Sequence, residues 1–151
     1  MTATLAPTAA SAARPVASTR RTVALTAAGV VVAGVATSIV ALTVTALGIG
    51  DGFAPLRPAV YLPFVAIGVI AAVVGWRIIR SRAANPARVL RVLVPVVLIA
   101  SFIPDMILIL TRFIPGTTLV AGLSLSVMHV IVAAVAVPLA QRIAPVGTVR
   151  P

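Results

Sequence analysis

The chain has 151 residues, of which 61% are hydrophobic and only 9% charged, with a mean hydropathy of +1.21 and a formal net charge of +10. A soluble domain of this size could not cover so much apolar surface with so few charges, and the lack of cysteine excludes disulfides, thiolate metal sites and Cys-x-x-Cys redox enzymes. The positive charge does not signal nucleic acid, because the arginines sit in short clusters between long apolar runs, where membrane topology signals sit.

Residues 1–21 are rich in Ala, Thr, Ser and Pro and lack the large apolar residues of a core. They read as a disordered N-terminal tail. The first uncharged run, 22–49, is longer than the core of a cleaved secretory signal and reads as a first membrane span. The stretch GDGFAPLRP, from Gly50, holds two glycines, two prolines and an acid, the composition of a loop. A second span follows over 59–79. A basic connection then carries Arg77, Arg80, Arg82, Arg88 and Arg91 around an Asn85-Pro86 break. The third span covers 90–111, and Pro115-Gly116 marks a tight turn. The fourth span covers 118–140, the membrane domain closes at 142, and residues 143–151 form a short C-terminal tail.

Each run is near the roughly 20 residues needed to cross the hydrocarbon core of a bilayer. The expected fold is therefore all-α, an integral membrane bundle of four antiparallel helices. Four crossings put both termini on one side. Ten of the twelve basic residues fall in the two tails and the middle connection, while the other two loops hold only Arg57 and Arg112. The positive-inside rule then places both termini and the middle connection in the cytoplasm. Every basic residue is arginine, and Ala and Val abound, as in GC-rich bacterial genomes. The expected location is a bacterial plasma membrane. Phe53, Tyr61 and Phe113 fit the outer aromatic belt and Trp76 the inner one.

In lipid, helices associate through small residues that allow close approach. Gly34, Ser38, Ala41, Thr45 and Gly48 line one face of the first span. Gly68, Ala72 and Gly75 do so in the second, and Gly122, Ser126, His129, Ala133 and Ala136 in the fourth. The seams suit a compact bundle or a homodimer.

The third span holds an acid in SFIPDMILIL. Asp105 lies six residues from the end of the span, about 9 Å deep at roughly 1.5 Å per residue. Ser101 shares its helical face. Ser126 and His129 of the fourth span complete a candidate intramembrane polar site, and Arg57 or Arg112 are candidate ion-pair partners for the acid. Pro104 removes a backbone N–H in the same region. An intramembrane acid and histidine mark a proton or substrate path on one reading. On the other, Asp105 is wet or paired near the surface and His129 bonds to another helix. One His and one Asp do not make a metal site, no cofactor is implied, and a Ser-His-acid hydrolase lacks any oxyanion hole. The basic connection fixes topology, or attracts anionic lipid head groups.

The fourth span, LSLSVMHVIVAAVAVPLAQR, has Met128-His129 in mid-helix, then a Val/Ala run, Pro138 and a terminal Arg142. With RVLRVLVPVVLIASFIPD before it, the chain resembles a family of small four-span actinobacterial membrane proteins carrying a domain of unknown function. The resemblance covers the last three spans and not the N-terminal tail. It implies the four-span topology and a shared mid-helix histidine, and brings no activity. The functional expectation is a non-enzymatic interaction or accessory module that packs against itself or another membrane protein in the lipid bilayer. The alternative is a small proton-linked transporter using Asp105 and His129. Small four-span drug exporters rely on a membrane glutamate, and this chain has none. An intramembrane enzyme is the third and weakest reading.

Overall fold

The computed structural model describes residues 17–147. The first sixteen residues, with most of the expected N-terminal tail and Arg14, lie outside that range, as does Arg150. The described residues form α1 (Thr19–Ala46), α2 (Pro58–Arg82), α3 (Pro86–Ser101), α4 (Ile103–Thr111) and α5 (Leu119–Ile143), with a short 3₁₀ turn at Ala54–Leu56. There is no strand among them. With α3 and α4 counted together as the third, four helical segments are long and apolar enough to cross a membrane. The fold is the expected all-α four-helix bundle.

Local sequence explains where the helices begin. Ser18, Asn85 and Thr118 are N-caps whose side-chain oxygens accept from the N–H of Arg21, Arg88 and Ala121 at 3.4, 3.1 and 3.1 Å. Pro58 and Pro86 occupy the first turns of α2 and α3, where no N–H is needed. Asn85-Pro86 therefore starts a helix, and the connection between the second and third spans shrinks to residues 83–85. The five arginines expected in a loop ride on helix ends: Arg77, Arg80 and Arg82 on α2, Arg88 and Arg91 on α3. Arg80 and Arg82 sit in the last turn of α2, where the helix dipole favours a cation.

The fifth helix is the hub, packing against all four others. α1 lies against α2 and α5, and the third span lies on α2 and α5 from the other side. The buried face of α1 runs through Gly29, Ala33, Thr37, Ala41 and Val44. It is rotated from the expected seam, of which Gly34 and Ala41 are buried while Thr45 and Gly48 face out. The cause is that α1 serves two neighbours at once: Gly29 meets Leu139 of α5, and Gly34 meets Leu62 of α2. Along α2 the buried positions are Tyr61, Val65, Val69, Val73 and Trp76, so valines rather than Gly68, Ala72 and Gly75 form the innermost row.

Two of the aromatic residues expected near the interface belts are also buried fasteners. The Tyr61 hydroxyl donates to Ser38 Oγ at 2.8 Å, joining α2 to α1. Trp76 Nε1 donates to the Ala144 carbonyl at 2.9 Å, and Arg80 Nε donates to the Pro145 carbonyl at 2.8 Å. Arg77 reaches Thr22 Oγ1 of α1 at 3.1 Å. The last three of these bonds tie the basic end of the bundle together. At the opposite end the two long connections touch. Gly116 has φ +78°, and a Cβ there would lie 2.7 Å from the backbone of both Asp51 and Phe53. Only glycine supplies both that conformation and that closeness.

Candidate intramembrane polar site

The third span is broken at Phe102. Pro104 has no N–H to give the carbonyl of Ala100, and the helix restarts as α4 with Ile103 and Pro104 in its first turn. Asp105 is the acid of that first turn. The first turn is the positive end of the helix dipole. The proline that breaks the span thus starts the helix on which the next residue is the acid. Asp105 is 5% exposed.

Ser126 and His129 stand three residues apart on α5, on the face turned toward α4. Ser126 Oγ donates to Asp105 Oδ2 at 2.9 Å. His129 Nδ1 lies 3.3 Å from the same oxygen and 2.9 Å from the Leu125 carbonyl. Both of those neighbours are acceptors, so Nδ1 is the nitrogen that carries a proton. The ring of Phe102 meets the imidazole edge to face, with centroids 6.4 Å apart and planes at 85°. The His129 side chain remains 40% exposed on the flank of the bundle, against 6% for Asp105. Among the described residues Nε2 has no hydrogen-bond partner.

The structure brings Asp105, Ser126 and His129 together and leaves the other candidates apart. Ser101 turns to its own helix, and its hydroxyl donates to the Leu98 carbonyl at 2.6 Å. Arg57 and Arg112 are exposed, and the one ion pair among the described residues is His129 with Asp105. Arg112 ends α4 in the left-handed conformation, with φ 52°. That geometry belongs to the helix stop and does not carry the guanidinium to Asp105. Phe102 is the member that residue type did not flag. Its signal was its place, three residues before the acid and so on the same helical face.

Gly122 brings α5 close to α4. A Cβ at that position would collide with the side chain of Ile109. Close approach at Gly122 and the polar contacts at Ser126 and His129 lie along one stripe of α5. No group of three or more His, Cys, Asp or Glu side chains gathers among the described residues. Two cavities lie elsewhere. One of about 250 Å³ is lined by Thr45, Asp51, Arg57 and Tyr61 at the end with the long connections. The other, about 330 Å³, lies at the basic end. The polar cluster opens into neither. Comparison with known proteins returns no match: no family model fits the chain, and no curated protein and no solved structure is similar to it.

Proposed function

We propose that the chain is a non-enzymatic multi-pass membrane protein that works by contact, as an interaction or accessory module. The observation that carries this reading is the half-exposed imidazole of His129. Its Nδ1 side is engaged by Asp105 and Leu125, while its other nitrogen has no partner among the described residues. Hydrocarbon offers no hydrogen bond to such a group, whereas a neighbouring helix does. The third span beside it is thinly covered, with only 11% of its most apolar stretch buried. A second copy or another membrane protein would cover both. A bacterial plasma membrane, with both termini and the basic end cytoplasmic, belongs to the same proposal and rests on the distribution of the arginines.

The test is self-association in liposomes, read by energy transfer between labelled copies as lipid is added. Wild type should associate more tightly than His129→Leu. Equal association of the two would remove the His129 flank as the contact surface.

A second reading, a proton-linked carrier, draws on the 3.3 Å contact between a carboxylate and an exposed imidazole. Vesicles loaded with a pH-sensitive dye separate the two. The contact reading expects wild type and Asp105→Asn to dissipate an imposed proton gradient at the same rate. Faster dissipation by wild type would favour the carrier.

A further inference from the structure

The cavity at the basic end is a groove between α2, α3 and α5. Its walls are Trp76, Leu90, Val94, Pro95 and Val137, and Arg91 stands at its edge. From Arg91 back to Ala87 and forward to Pro95 it follows more than two turns of α3, roughly 12 Å at 1.5 Å per residue. The indole of Trp76 is held in place by its bond to Ala144, so the wall it forms is fixed. Arg91 is exposed, and no hydrogen bond or ion pair engages its side chain among the described residues. This sets it apart from Arg77 and Arg80, whose guanidinium groups are spent on Thr22 and Pro145. Pro95 has no N–H, so the Arg91 carbonyl also lacks its helical donor.

No acid is near. The chain has two acidic residues, Asp51 and Asp105. Asp51 lies in the connection after α1, and Asp105 is fourteen residues farther along the third span, roughly 20 Å away. The groove therefore joins an apolar slot and a cation that has no partner among the described residues, at one membrane boundary. Arginine matches a phosphate in a fixed planar fork. We infer that this groove binds one anionic glycerophospholipid of the bilayer, its phosphate on Arg91 and the start of an acyl chain along Trp76, Val94 and Pro95. The site is separate from the His129 flank and does not depend on the contact reading.

The chain supplies its own probe, because Trp76 is its only tryptophan. Its fluorescence in liposomes is measured while phosphatidylglycerol with brominated acyl chains replaces the unbrominated lipid, and again with brominated phosphatidylcholine. Wild type should be quenched by phosphatidylglycerol beyond its mole fraction and by phosphatidylcholine only in proportion to it. Arg91→Gln should lower that preference about fivefold, the worth of one arginine near an anionic surface. Arg91→Lys should keep part of it. Arg88→Gln and Arg57→Gln should leave it intact. Equal quenching by the two lipids overturns the site. So does a preference that survives Arg91→Gln, or one that Arg88→Gln reduces as much, since that is diffuse surface attraction.

Discussion

The third and fourth spans are equally apolar to the eye and lead opposite lives. In α5, 28% of the most apolar stretch is buried, and the helix touches every other element. In the third span the figure is 11%, and Leu90, Asp105 and Leu108 are the residues it buries. Val92, Val96, Ile99, Ile103 and Leu110 all face outward. In water that exposure would drive association. In lipid it drives nothing, because lipid tails are as apolar as the side chains. What holds the α4 half of the third span on is therefore a short list: close approach at Gly122, the polar bonds of Asp105, and the turn at Gly116. A hub helix is secured by contacts with several neighbours, and a peripheral one by a few named contacts.

That contrast can be broken at the turn first. Gly116→Val adds a Cβ against two backbone atoms at a positive φ, and should cost about 3 kcal/mol in unfolding in micelles. Next comes Gly122→Val, which drives a side chain into Ile109 and should cost about 2 kcal/mol. Its signature is local. A single cysteine placed at Leu108 in this cysteine-free chain should become reactive in the variant, while one at Val69, between α1 and α5, should stay protected. If both open together, the third span is not a separately attached unit.

A double-mutant cycle of Asp105→Ala and His129→Ala sharpens the comparison further. The coupling should fall at about 0.6–1.7 kcal/mol, the range of polar contacts between membrane helices. Zero coupling would mean that the pair is not a joint. The smallest effects belong to the arginines once matched to Asp105. Arg57→Gln should change stability by less than about 0.5 kcal/mol. Arg112→Gly should raise it by up to about 1 kcal/mol, because glycine relieves the left-handed cap. A loss on either substitution would point to an ion pair with the acid.

The four spans were legible because membrane length and charge distribution are coarse signals that many residues share. Their ends moved by a few residues where caps and prolines decided them, as at Asn85-Pro86. The grouping of Asp105 with Ser126 and His129 was also legible, from an acid in one span and a polar stripe on the next, joined by a short turn. The choice of partner was not. A serine or threonine in a membrane helix can turn to its own backbone or to a neighbour, and helix rotation decides which. Ser101 and Thr37 turned inward to their own carbonyls, and Ser126 turned outward. The same rotation displaced the buried face of α1 from the glycine-rich seam, because two helices press on it and not one. Tyr61 and Trp76 were read as interface aromatics from their position near helix ends. Each found a deep partner through its one polar atom.

The break at Phe102 gives the third span the build of two rods in series. A single straight helix meets a thicker or thinner bilayer by tilting as a whole, which would disturb every neighbour. Here bending at Phe102 would let the rod that holds the polar joint keep its place on α5 while the other adjusts to the lipid. Hydrophobic thickness would then be taken up within one span, and the core formed by α1, α2 and α5 would be spared most of the adjustment.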